Sequence, residues 1–454
     1  MKSLNKLKNL NIFGSNSSRS KKIQANALQM YIYRAGGIAV NFLYVPLLID
    51  SLSRENYGIW LTITSIVGMM SFFDIGLGNG MRNKVAESLA KNDTQKAREY
   101  VSTTYIMLAC IGLCLVGLIV VLVPLFDWTR ILNAPDANPI ELARLILFVF
   151  VFFVVQLVLQ LLASLFNAMQ TPAKSSMVTF FSQVSGLIVV FALSRILQSN
   201  SLLIYGFAIS LSPIVVLLVF SLFFYRGSLS FVSPSIKLFK KELCKDVVNM
   251  GVQYFLIQLT AILMFQSNNF IIAHCIDVAS VVDYNVAYKY VSIPLMGYTI
   301  LTAPLWSATT DAYASGDYKW IKDTIRRMLK IAAIFIALIV LLVLVSPLVY
   351  LLWLGDSLSV NWGLISILAL YQVFSILTAL FCMIINGIGK IRLQFVICFV
   401  EAIIHIPLTI YMSSYVGLYA VAISLAIITA INAIWEPIQI KKILNNTANG
   451  IWNK

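Results

Sequence analysis

NYGIWLTITSIVGMMSFFDIGLGNGMRNKVAESLAKND, residues 56–93, reads as an apolar run, a glycine-rich bend and then a basic amphipathic segment. Its first part carries no charge before Asp74 and is about the 20 residues that a bilayer crossing needs. Hydrocarbon offers backbone amides no partner, so a run of this kind crosses as a helix that bonds internally. Arg82 and Lys84 behind the bend hold that end at the cytoplasmic surface. Gly76, Gly78 and Gly80 suit a flexible or closely packed end of the span. They are not a dinucleotide fingerprint, because no strand precedes them and no βαβ unit follows.

The rest of the chain repeats this pattern. Of the 454 residues 59% are hydrophobic and 11% charged, with a mean hydropathy of +0.86, which excludes a water-soluble domain. About twelve spans are expected, starting near Ala27, Asn56, Val101, Leu142, Met177, Ser201, Gly251, Asn285, Ile331, Trp362, Leu393 and Val416. With the N-terminus inside, roughly 27 of the 33 basic residues fall on cytoplasmic segments and roughly 4 on outward ones. The net charge of +14 is therefore a topology signal; nucleic acid is not expected as a partner, since the basic residues are not gathered on one soluble face. Six cysteines without a CxxC pair and only two histidines indicate neither a disulfide framework nor a metal site, and no cofactor motif occurs.

A weak internal repeat divides the chain. IDSLSRENYGIW (49–60) and IDVASVVDYNVAYKY (276–290) each place a turn before a Tyr that opens the next span, and a basic segment follows that span in both halves. Six spans return the chain to its starting side, so the halves are parallel repeats about an axis along the membrane normal. The expected fold is an all-α polytopic membrane protein, with two parallel six-helix bundles around a central cavity. The expected divisions are a cytoplasmic basic tail (1–26), an N-terminal bundle (27–226), a cytoplasmic linker (227–250), a C-terminal bundle (251–437) and a cytoplasmic tail (438–454).

Ionisable groups inside spans are costly, so the few present are candidate site residues. Arg34 and Asp74 lie at matched depth on antiparallel neighbours, about 10 Å and about 12 Å from the inner ends. As a pair they suit a phosphate or acidic sugar; snorkelling of Arg34 and capping of the bend by Asp74 are the alternatives. Lys289 with Gln266, Asn268 and Asn269 is expected to form one polar cluster at the outer mouth, with snorkelling of Lys289 as the alternative. Glu401 and His405, spaced i, i+4, are the candidate coupling-ion residues, against a purely structural hydrogen-bonded pair. Tyr31, Tyr33, Tyr44, Tyr254, Tyr298 and Trp306 suit sugar stacking or interfacial anchoring.

The stretch 56–93 resembles the corresponding region of Wzx-type O-antigen flippases, members of the multidrug/oligosaccharidyl-lipid/polysaccharide exporter (MOP) superfamily; FFDIGLGNGMRNK is its specific part. DWTRILNAP (127–135) and NGIGKIRLQ (386–394) are further marks. The resemblance implies a cationic lumen between two bundles, in the bacterial cytoplasmic (inner) membrane with both termini cytoplasmic. The implied substrate is an undecaprenyl-diphosphate-linked oligosaccharide, moved from the inner to the outer leaflet with proton or sodium coupling. Membrane lipids, the O-antigen polymerase and the chain-length regulator are the implied partners. Rival readings are a multidrug exporter, which would carry more acidic lumen groups, and a teichoic or peptidoglycan-precursor flippase. A membrane polymerase or glycosyltransferase would need a larger outward loop than 127–141.

Overall fold

The computed structural model describes residues 18–453 apart from 75, 170, 197–200, 303–304, 356–358 and 360. Most of the basic tail, the side chains of 18–28 and 249–265, and with them Tyr254, lie outside the described residues.

The described chain is helical from end to end. In order come α1 (Ser18–Ser51), α2 (Arg54–Met70), α3 (Leu77–Ala90), α4 (Thr94–Leu122), α5 (Trp128–Ile131), α6 (Pro139–Leu159), α7 (Leu161–Ala168), α8 (Pro172–Ile196) and α9 (Leu202–Arg226). The second half runs α10 (Lys241–Cys275), α11 (Val278–Thr302), α12 (Leu305–Ala314), α13 (Tyr318–Leu354), α14 (Trp362–Ile388), α15 (Arg392–Val416) and α16 (Tyr419–Leu444). They amount to about twelve membrane crossings, with α2–α3, α6–α7 and α11–α12 acting as composite spans. Among the described residues 9 helical units are long and apolar enough to cross a bilayer. The remaining spans, built on α2, α10 and α11, meet one another where the two halves join.

In the first half α1 packs on α8, α8 on α9, α9 on α6, α6 on α4 and α4 on α3; in the second α11 and α16 both pack on α14, and α10 and α16 on α15. Outward-facing apolar side chains such as Leu113, Phe223 and Leu352 remain bare, as a lipid-facing surface requires.

Local chemistry explains the helix boundaries and exposes the repeat. Asp93 accepts a hydrogen bond from the Lys96 amide (2.9 Å) at the start of α4, and Asp317 one from the Trp320 amide (3.0 Å) at the start of α13. Each aspartate follows a residue of positive φ, Asn92 (57°) or Gly316 (75°), and its own amide bonds back five residues, to Ser88 or Ala312. The two caps are 224 residues apart (317 − 93), and so are the caps of α2 and α11, Ser53 and Asp277 (277 − 53). The halves thus repeat with a register in which Asp277 matches Ser53; an alignment of the two Ile-Asp pairs is three residues off.

The stretch 56–93 is one broken span. After Met70 come a 3₁₀ turn (Ser71–Asp74) and Gly76, whose φ of 69° is open mainly to glycine. Asp74 then accepts from the Gly78 amide at 3.2 Å and starts α3. The basic segment behind the bend is therefore helix down to Ala90, with only a tight turn before α4. Residues 227–240 dock on α4: Arg98 donates to the Ser233 carbonyl (2.9 Å), Ser102 and Thr103 accept from the amides of Ser235 and Lys240, and Lys240 pairs with Glu99 (2.9 Å).

Candidate functional site in and between the bundles

The α2–α3 span and α10 run antiparallel along the seam between the bundles. Close approach is set by glycines at three levels: a Cβ on Gly58 would collide with the Val278 carbonyl at the start of α11, and on α10 a Cβ on Gly68 would meet the Gln266 side chain and one on Gly80 the Val247 carbonyl. At the face away from the basic helix ends, Arg54 forms an ion pair with Asp283 across the seam. Asn133 donates to the Ala273 carbonyl (3.0 Å) and Trp353 to the Phe42 carbonyl (3.0 Å), so this face is held shut.

Toward the basic face the bundles separate around Arg34. A cavity of about 430 Å³ is lined by Tyr33, Arg34 and Asn41 of α1, Thr179 and Gln183 of α8, and Met296 and Thr299 of α11. Among the described residues Arg34 makes no ion pair or hydrogen bond, and its planar donors are exposed to this space. Thr179 also lines a second cavity, of about 360 Å³, inside the N-terminal bundle. Asp74 lies there, with Gln156, Gln160 and Asn167. The structure does not pair Arg34 with Asp74: they line adjoining cavities on either side of Thr179, and Asp74 caps α3 as well.

The outer-mouth cluster is also divided. Asn268 turns into the C-terminal bundle, where its Oδ1 meets His405 Nε2 at 2.8 Å. Asn269 turns across the seam, donating to Ser65 Oγ (2.8 Å) and accepting from Asn285 (2.7 Å). Gln266 lies against Gly68. Lys289 stays half-buried on the α11 face that carries Asn285 one turn away and Met296 two turns away, with no ion pair or hydrogen bond among the described residues.

Glu401 and His405 share a face of α15 but do not bond to each other. His405 is fully buried, with Nδ1 at 2.9 Å from Ser424 Oγ. An amide oxygen only accepts, so Nε2 carries the proton toward Asn268 and Nδ1 is left to accept from Ser424: a neutral imidazole with both nitrogens satisfied. Glu401, also buried, accepts from Asn432 (3.1 Å) through one oxygen, and its other oxygen has no partner among the described residues. Glu436, one helical turn from Asn432, is equally buried and has one oxygen without a partner among the described residues.

Sequence reasoning had passed over Glu436, because its span soon reaches the basic end, and over the Arg54–Asp283 pair, which joins residues remote in sequence. It had also passed over a legible signal: Gln156, Gln160, Ser164 and Asn167 form a polar stripe of helical spacing in an otherwise apolar run. Among the proposed stacking aromatics Tyr33 lines the Arg34 cavity, whereas Tyr298 is buried with its hydroxyl on the Met328 carbonyl (3.2 Å). The six cysteines are free.

Two six-helix bundles with a polar interior and a seam sealed at one face define a multi-pass membrane protein of the transporter type. The chain belongs to the family described as polysaccharide biosynthesis protein, which it matches over residues 29–309. It is 21% identical over 378 residues to a Yersinia pseudotuberculosis protein described as "Putative O-antigen export protein", covering 79% of this chain and 82% of that one. Among solved structures it resembles a multidrug resistance MATE family transporter of the MOP superfamily in an inward-facing conformation, at a TM-score of 0.75 and 16% identity over 91% of this chain and 96% of that one. A MOP superfamily transporter from Pyrococcus furiosus, described as having a binding pocket of reverse polarity, aligns at a TM-score of 0.63 and 16% identity over 93% of this chain and 96% of that one. The fold is that of the MOP superfamily, as the resemblance in residues 56–93 implied.

Proposed function

We propose that this chain is a flippase that passes undecaprenyl-diphosphate-linked O-antigen units from the inner to the outer leaflet of the bacterial cytoplasmic membrane by alternating access. The basic face is then cytoplasmic, with both termini on that side, and the sealed face is periplasmic. The observation that carries the reading is Arg34, a guanidinium that makes no ion pair or hydrogen bond among the described residues and faces a cavity of about 430 Å³ between the bundles. A diphosphate headgroup cannot enter hydrocarbon unaided, because unpaired charge in a low dielectric is prohibitive. A fixed guanidinium meets it with planar, charge-assisted donors, while the polyprenyl tail stays in lipid. The similarity to an O-antigen export protein and membership of a polysaccharide biosynthesis family support that substrate class.

Coupling to a proton or sodium gradient is assigned to the C-terminal bundle. Glu401 and Glu436 each bury an oxygen that nothing in the described chain satisfies, and a proton or a monovalent cation would relieve that cost. His405 holds the adjacent helices. In proteoliposomes with a fluorescent lipid-linked oligosaccharide, Arg34→Ala is expected to lose most transport at normal protein level, and Arg34→Lys to recover part of it. Normal transport by Arg34→Ala would return this residue to headgroup snorkelling and overturn the reading.

A further inference from the structure

The second cavity has a chemistry of its own. It lies inside the N-terminal bundle, holds about 360 Å³, and is lined by Asp74, Gln156, Gln160, Ser164, Asn167 and Thr179. The three amide side chains make no hydrogen bond among the described residues. Each brings two N–H donors and a carbonyl acceptor to the cavity wall, Gln156 and Asn167 half-buried and Gln160 exposed. No Lys or Arg is among the described residues that line the cavity, so they do not make a second phosphate site. Among the described lining residues the one ionisable group is Asp74, an oxygen of which already accepts from the Gly78 amide. Amides free of bonds among the described residues, hydroxyls that can still accept, and one carboxylate answer a ligand dense in hydroxyl groups; the carboxylate disfavours a free anion, and an apolar drug leaves the amides unanswered.

We propose that this cavity is a saccharide subsite, which takes the sugar attached to the diphosphate while Arg34 holds the diphosphate itself. The inference rests on the lipid-linked substrate proposed above. Thr179 stands on the wall common to both cavities, about 10 Å from the start of α8, so a headgroup at Arg34 presents its first sugar toward Asp74 and the amides. The volume equals that of roughly a dozen waters at about 30 Å³ each, room for one sugar residue and the beginning of the next. Sugars farther from the lipid extend toward the open space between the bundles. The subsite therefore selects on the sugar next to the diphosphate.

The test compares the binding of farnesyl diphosphate with that of the same lipid carrying one hexose, one N-acetylhexosamine or one deoxyhexose, using the purified full chain in nanodiscs. Wild type is expected to prefer at least one of the sugar-bearing lipids over the bare diphosphate by about tenfold or more. The variant Gln156→Met/Asn167→Leu keeps volume and removes the amides; it is expected to erase that preference while bare diphosphate binds within about twofold of wild type. Arg34→Ala is expected to weaken all four lipids together and keep the preference. As a check that does not depend on how the double variant folds, Ser164→Cys on a cysteine-free background is expected to be protected from maleimide by the preferred sugar lipid and not by bare diphosphate. Wild-type binding of the diphosphate without any sugar preference, or a preference that survives in the double variant, overturns the subsite and leaves the flippase reading standing. Failure of all four lipids to bind overturns both.

Discussion

Opening at the outer face, the one away from the basic helix ends, requires the seam to part there, and the Arg54–Asp283 ion pair is a charged contact that crosses it. Their side chains are 46% and 26% exposed, so water and salt screen the pair in part. Exposed ion pairs contribute roughly 0.2–1 kcal/mol, and partial burial of Asp283 places this one near the upper end, at about 1 kcal/mol. Arg54→Gln removes that attraction only from the closed state, so the ratio of outer-closed to outer-open protein should fall about fivefold. Spin labels at the exposed positions Arg130 and Tyr415, one near the outer end of each bundle, would report the two populations as separate distances in nanodiscs. The charge swap Arg54→Asp/Asp283→Arg should restore the wild-type ratio, and high salt should shrink the difference between wild type and Arg54→Gln. An Arg54→Gln distribution that matches wild type at low salt, or a swap that fails to rescue it, would refute the assignment of the seal to this pair.

Three further outcomes follow from the same geometry. Gly58→Val should bias the protein toward an outer-open seam, because its side chain meets the Val278 carbonyl, a backbone atom that cannot swing aside; accessibility of a cysteine at position 137 to an impermeant reagent should rise. Glu401→Gln keeps shape and removes titration, so transport under an imposed pH gradient should slow and lose its pH dependence; an unchanged pH response at normal protein level removes Glu401 from coupling. His405→Leu should strand the buried Asn268 carbonyl oxygen and the Ser424 hydroxyl donor at a cost of about 1–3 kcal/mol each, read as a thermal midpoint several degrees lower in detergent, whereas a relay role alone would leave the midpoint unchanged.

The spans and the division into two bundles were legible in the sequence because the bilayer imposes a length and a polarity on every crossing, and no packing detail is needed to read them. The bend at Asp74 was legible as well, since Gly76 marks a backbone conformation. What one helix presents to its neighbours was not. Depth matching put Arg34 beside Asp74, yet depth leaves rotation about the helix axis free, and the structure puts Thr179 between their cavities. The i, i+4 spacing put Glu401 and His405 on one face, yet each found a better partner on another helix: Asn432 for the carboxylate, Asn268 and Ser424 for the imidazole. Glu436 became visible only through Asn432, a turn away from it.

The polar load of the molecule is unevenly divided between two halves of like topology. The N-terminal bundle carries the open cavity with its amide and hydroxyl lining. The C-terminal bundle carries buried carboxylates and a closed hydrogen-bond network. Among the described residues α10 joins the network to the seam through two consecutive side chains. Neighbouring positions on a helix point about 100° apart, so Asn268 reaches His405 inside the C-terminal bundle while Asn269 reaches Ser65 on α2. Both asparagines are buried, and neither bond can be given up to water while the seam is shut. A turn of α10 large enough to release Asn268 from His405 also carries Asn269 away from Ser65. Any rearrangement of the C-terminal network that rotates α10 is thereby felt at the seam, so a rigid helix with two adjacent amides is sufficient to link an event among Glu401, Glu436 and His405 to the parting of the bundles.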